Sequence, residues 1–200
     1  GIITIDDVMD VIDKEATEDF HKMAGISPVE ESYLKTSAFT MARQRIMWLI
    51  VLMISATFTG RIIGKYENVL QSVVILASFI PMLMDTGGNA GAQSSTIVVR
   101  ALALGEVDVK DTFRVLIKEF SISFIVAIVL AAINYLRLIA LTKVPLNVAL
   151  TVSVTLIFVV IISKIIGALL PIGAKVLKMD PAIMAGPLIT TILDALTLTI

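Results

Sequence analysis

The 200-residue chain contains no cysteine and a single histidine, His21. Disulfides, thiolate nucleophiles and thiolate metal sites are thereby excluded together, and any bound metal has to be held by oxygen or by His21. Hard cations are the natural metal partners of such a chain. Charge is scarce too: Asp, Glu, Lys and Arg make up 16% of the residues, against roughly a quarter in ordinary soluble domains. The net charge of −1 and the lack of basic runs exclude a nucleic-acid partner, which would require a lysine- and arginine-rich surface. No HExxH pattern or nucleophile–base pair lies in the apolar part, so an enzyme is not expected. Hydrophobic residues are abundant, at 57% and a mean hydropathy of +0.94. The main solvent of this chain is therefore a lipid bilayer, and the expected fold class is all-α integral membrane.

Charge placement divides the sequence in two. From Gly1 to about Lys35 it is polar and acidic, with Asp6, Asp7, Asp10, Asp13, Glu15, Glu18, Asp19, Glu30 and Glu31, and charges thin out beyond Arg45. The first part lacks the basic start, apolar core and small-residue cleavage site of a signal peptide. It begins with a short apolar run, Gly1-Ile2-Ile3-Thr4, that reads as a strand, and is too short to bury a core alone. It is expected to be the end of a cytosolic domain followed by an amphipathic connecting helix.

Five apolar stretches follow, near 46–63, 69–104, 120–141, 148–171 and 181–200. A helix needs about 20 residues to cross about 30 Å of hydrocarbon, and four of the five fit. The second is too long for one straight span. Its predicted break is Asp85-Thr86-Gly87-Gly88-Asn89-Ala90-Gly91, where glycines and polar groups interrupt the apolar run. Lysine and arginine placement puts the amino terminus in the cytosol and, after five crossings, the carboxyl terminus outside. The connections are short: 64–68 and 142–147 outside, 105–112 and 173–180 inside.

Ionisable groups inside the spans carry the functional signal, because each is costly in hydrocarbon unless it faces a cavity or a partner. Asp194 stands in the last stretch, about 20 Å from its cytosolic start, without a nearby base. It reads as a pore-lining acid, against the alternative of an acid hydrogen-bonded between helices. Asp85 reads equally as a permeation residue and as a local helix cap. Asn89, Gln93, Ser94, Ser95 and Thr96 fit a wet path or interhelical packing equally well. Gly186-Pro187 interrupts the last helix and would free carbonyl oxygens near Asp194, or serve as a packing kink. Lys164, the one base well inside a span, is expected to snorkel to the cytosolic interface.

The run from Pro81 to Gln93, PMLMDTGGNAGAQ, followed by Val99-Arg100-Ala101-Leu102-Ala103-Leu104-Gly105-Glu106, resembles the MgtE family of magnesium channels. So do Asp180-Pro181-Ala182, Gly186-Pro187-Leu188 and Thr190-Thr191-Ile192-Leu193-Asp194, which are similar to that family's final-helix motif with its pathway aspartate. Gly1 to Val8 resembles the end of a CBS domain, and Ala16-Thr17-Glu18-Asp19-Phe20 leads into what resembles the family's plug helix. The resemblance covers the whole chain. It implies a CBS remnant over 1–20, a plug helix over 21–45 and a channel domain over 46–200, assembled as a homodimer in the cell membrane.

It further implies that Mg2+ is both the transported and the regulatory ion. Asp194 would line the pore, with Asn89 and Gly88 beside it. Asp180, Glu15, Glu18 and Asp19 would form regulatory sites that hold the gate shut at high cytosolic Mg2+. Two departures stand out: Thr197 occupies a position commonly glycine in the family, and Asp85 lies outside the family motif. The alternative function is a divalent-cation carrier coupled to protons through Asp194.

Overall fold

The computed structural model describes residues 1–27, 33–66 and 74–200. Glu30, Glu31, the end of the 64–68 connection and the first residues of the second apolar stretch lie outside the described residues. Seven α-helices carry the described chain: α1 (Ile5–Met23), α2 (Ala38–Lys65), the single turn α3 (Val74–Ala77), α4 (Ile80–Ala103), α5 (Thr112–Arg137), α6 (Leu146–Val176) and α7 (Pro187–Thr197). A 3-10 turn, Val109–Asp111, leads into α5, a π turn, Leu138–Thr142, closes it, and a second 3-10 turn, Pro181–Met184, precedes α7. No strand occurs among the described residues.

Local chemistry sets the starts of these helices. Thr4 and Asp7 form a reciprocal capping box at α1, in which the Thr4 amide donates to the Asp7 carboxylate at 2.8 Å. Such a cap satisfies amides that the first helical turn leaves open. The Ser37 hydroxyl accepts the Thr40 amide at 3.2 Å and opens α2. Pro81 and Pro187 sit in the first turns of α4 and α7, where a missing amide costs nothing.

Helix α6 is the axis of the bundle. It packs along both α4 and α5, while α4 also packs on α7, and α2 reaches the rest of the bundle through α7. Midway along the bundle Ala90, Ala127, Leu156 and Val160 form one apolar cluster. Val98, Leu102, Ala168 and Ile172 form a second, and Leu138, Val148, Ala149 and Val152 a third. Alanine and valine dominate these contacts because small side chains let helices approach closely when lipid supplies no hydrophobic drive between them.

Among the described residues, three helical segments are long and apolar enough to cross a membrane by length and composition: Ala38–Lys65, Val109–Thr142 and Leu146–Val176. This fits the all-α, multi-pass membrane class expected from the sequence. At 24 residues, α4 is about 36 Å long, but its polar content sets it apart from lipid-facing spans. At 11 residues, α7 is too short to cross alone.

The break in the second stretch lies at Ser78–Phe79, before Pro81, and α4 runs unbroken through the glycines. Those glycines are used for packing. Gly167 of α6 touches the backbone of Gly91, leaving no room for a Cβ at position 167. Near the amino terminus, Gly1–Thr4 forms no strand, and the helix α1 runs over Ile5–Met23. The reason is local, since the Thr4–Asp7 cap starts it early and Gly25, at φ +67°, turns the chain after it.

Candidate ion pathway

Helices α4 and α7 face each other across a cleft of about 480 Å³ lined by Ile63, Ile80, Pro81, Met84, Asp85, Gly88, Asn89, Thr190 and Asp194. Asp85 and Asn89 lie one helical turn apart on α4, so both reach the same face. The lack of a side chain at Gly88 brings α7 close. A Cβ there would stand 3.5 Å from Thr190 Cγ2 and 4.0 Å from Asp194 Oδ1. Among the described residues, no protein side chain hydrogen-bonds Asp85, Asn89 or Asp194. The two acids and the amide therefore present free oxygen atoms to one space.

Asp85, Asn89, Gln93, Thr96 and Arg100 are all exposed along α4, whereas Ser94, Ser95, Val98 and Val99 are buried. This spacing puts a polar stripe on one face of the helix and its packing surface on the other. Of the five α4 residues that the sequence left between wet path and packing, Ser94 and Ser95 turn inward and Asn89, Gln93 and Thr96 turn outward. Asp85 is inside α4, in its second turn, so it caps no helix.

Asp194 is the eighth residue of α7, about 10 Å from Pro187, and the 3-10 turn Pro181–Met184 is set off from the helix by the bend at Ala185–Gly186. The carbonyls near that interruption are already engaged. Met184 O accepts from Ser95 Oγ at 2.9 Å. Pro187 O accepts from the Thr190 and Thr191 hydroxyls at 2.9 and 3.0 Å. Side chains, not open carbonyls, are what this segment offers to the cleft.

A second charged cluster forms where α1 meets the Pro181–Met184 turn. Lys22 Nζ lies 2.6 Å from Glu18 Oε1 and 2.6 Å from Asp180 Oδ2. Burial pushes the Asp180 carboxyl up, but the Lys22 hydrogen bond, the Ala182 amide and the Lys22 charge outweigh it and hold the group below its ordinary value. The hydrogen bonds that Lys22 donates to Asp180 and Glu18 hold its ammonium above its ordinary range. Burial, and then the Asp180 charge, push Asp19 up.

Asp19 lines a cleft of about 180 Å³ with Met23, Thr96 and Arg100, so α1 covers one end of α4. Met23 packs on Val99, Ala182 and Ala185, and its carbonyl rests against Gly186. Glu15 is exposed and makes no ion pair among the described residues. There, no group of three or more Asp, Glu or His side chains comes close enough together to hold a metal ion. A cation nonetheless already stands between Glu18 and Asp180: the lysine ammonium.

Sequence reasoning missed the role of Lys22, whose partner Asp180 is 158 residues away. It misread Lys164, which is 5% exposed and donates to Ser94 Oγ at 3.2 Å instead of snorkelling. A short route to water was not needed, because α4 supplies a polar partner in the bundle.

Residues 80–200, which contain Asp85, Asn89 and Asp194 of the cleft, the polar stripe and Asp180, match the family model for MgtE, described as a divalent cation transporter. The chain belongs to the MgtE family. That family is described as one of divalent cation transporters. It is 35% identical to the magnesium transporter MgtE of Thermus thermophilus, over 97% of this chain and 43% of that protein. Against the magnesium transporter MgtE of Bacillus subtilis the identity is 38%, over 100% of this chain and 44% of the relative. The magnesium transporter MgtE of Enterococcus faecalis is 31% identical, over 97% of this chain and 42% of its own length. The chain thus spans less than half the length of these MgtE relatives. Membership and the apolar helices together mark it as part of a multi-pass membrane protein.

Proposed function

We propose that this chain is the membrane domain of a Mg2+ channel and passes hydrated divalent cations between α4 and α7. The observation that carries this reading is the single cleft in which Asp85, Asn89 and Asp194 all have free oxygen atoms. Its volume suits the cargo. Six waters at about 30 Å³ each make a hydrated ion of roughly 200 Å³, well inside about 480 Å³. Magnesium gives up its waters reluctantly, so two carboxylates and an amide can attract it through its hydration shell without a complete cage. Asp194 is the principal pore acid, Asn89 and Gly88 shape the passage beside it, and Asp85 adds negative potential.

The working unit is a homodimer in the cell membrane, with the amino terminus in the cytosol and the carboxyl terminus outside. Exposed apolar residues along α2, among them Met47, Ile54 and Phe58, support coverage by lipid and a second copy. Twofold symmetry would double the cleft acids around one path.

Residues 1–20 are the end of a regulatory cytosolic domain, and 21–45 is the plug segment, into which the end of α1 leads. Glu18, Asp19 and Asp180 gather where α1 meets the membrane part, with Glu15 one turn away on α1. Cytosolic Mg2+ attracted there would favour the docked, closed state, in competition with Lys22 for Asp180. Mg2+ flux into liposomes, with Mn2+, Co2+ and Ca2+ as competitors and internal pH recorded, tests the proposal. Passive flux that follows the electrochemical gradient and falls in Asp194→Asn supports a channel. Obligatory proton movement with each ion would establish the carrier instead.

A further inference from the structure

Three charged or polar side chains meet deep inside the bundle, away from the cleft. Lys164 Nζ of α6 donates to Ser94 Oγ of α4 at 3.2 Å, and Ser94 Oγ donates to Glu119 Oε2 of α5 at 2.6 Å. Their exposures are 5%, 0% and 6%. A lone ammonium or carboxylate at such a place is expensive, whereas an opposite pair joined through a hydroxyl offsets much of the cost. Three apolar side chains could fill the same volume more cheaply, which makes the retained charges informative.

The geometry points to where they act. Lys164 lies one turn from Gly167 and Ser94 one turn from Gly91, the two residues at which α4 and α6 touch backbone to backbone. The residue after Ser94 points the other way: Ser95 Oγ donates to the Met184 carbonyl at 2.9 Å, three residues before the start of the Asp194 helix. The dipeptide Ser94-Ser95 thus connects the buried charges to the turn that aims α7.

We propose that Lys164 and Glu119 form a charge-compensated latch, bridged by Ser94, that positions α4 and through Ser95 holds the Asp194 helix in its conducting register. Both are positioning residues, since neither lines the cleft. The inference rests on the proposed conduction function only for its flux readout.

The test uses the full chain with Lys164→Met, Glu119→Gln, the double variant and Lys164→Arg. Register is read by cross-linking. A Cβ at Gly88 would stand 3.7 Å from Thr190 Cβ, close to the separation of about 3.8 Å found in disulfides, and no native cysteine competes. Gly88→Cys with Thr190→Cys, oxidised in the membrane, therefore reports whether α4 and α7 stay aligned. Flux is measured without those cysteines.

Each single neutralisation is expected to slow cross-linking and to cut Mg2+ flux at saturation about tenfold, with half-saturating Mg2+ changed by less than about twofold. The double variant should return both to within about threefold of the parent, and Lys164→Arg should keep both. Singles that behave like the parent, or a folded double variant as impaired as they are, overturn the latch. Should a single variant fail to fold, the double decides: recovery of folding and flux supports compensation, and failure overturns it. A parent chain that conducts no divalent ion rejects the proposed function, while cross-linking still decides the latch.

Discussion

Gly167 of α6 rests directly on the carbonyl of Gly91 of α4, and a Cβ at Gly91 would in turn stand 3.0 Å from the Ser163 carbonyl. The bundle is closed at this point by backbone against backbone. We predict that Gly167→Ala destabilises the membrane domain by about 1–3 kcal/mol, the usual cost of overpacking. Thermal unfolding in detergent measures it, and an unchanged midpoint would mean that the helices can separate there freely.

Asp194 and Asp85 share a cleft but should differ in weight. Asp194→Asn is expected to lower Mg2+ flux about tenfold or more, because a charge in a confined path raises local cation concentration by about that factor. Asp85→Asn should cost roughly twofold to threefold, since its more exposed carboxylate is better screened. Size-exclusion profiles should not change in either variant. Equal flux in Asp194→Asn and the parent would move the ion site elsewhere.

The Lys22–Asp180 contact fixes the sign of a pH effect on the docking of α1. Asp180 is held below its ordinary value of 3.8, so its contribution is present above that value and disappears as pH falls through the lowered one. Asp19 is raised; its ionised form opposes docking, which tightens as pH falls through the raised value. Lys22 stays charged throughout this range. Between neutrality and about pH 4, amide hydrogen exchange in α1, corrected for its intrinsic pH dependence, should therefore slow, and the slowing should vanish in Asp19→Asn. Exchange that accelerates over the same window would show that Asp180, not Asp19, dominates.

Removing the tethered cation should loosen the same contact modestly. These ion pairs are partly exposed, so Lys22→Gln is expected to cost about 1 kcal/mol or less and to speed α1 exchange up to about fivefold. In the proposed gating scheme the vacated acids become available to Mg2+, so added Mg2+ should protect α1 more strongly in Lys22→Gln than in the parent. Protection that is identical in the two would place any regulatory ion away from Asp180.

Much of this protein was legible from residue order alone. Hydropathy is a sum over neighbours in the chain, so the bilayer as solvent, the helical class and the place of Asp194 as an acid in an apolar segment were all readable. Capping was local as well, although Thr4 and Asp7 were passed over in favour of a strand. What only the tertiary structure decided are the properties that depend on distant partners.

The glycines at 87–91 read as a weak point of a helix, yet with α6 alongside they become its tightest contact. Lys164 read as a snorkelling base because nothing nearby in sequence could receive it, and its partner arrives from α4, 70 residues away. Ser94 and Ser95 were indistinguishable in sequence, and adjacent positions on a helix point some 100° apart, so one meets buried charges and its neighbour meets the turn before α7. The cost of burying a polar group is written in the sequence, whereas the group that offsets it is chosen by packing.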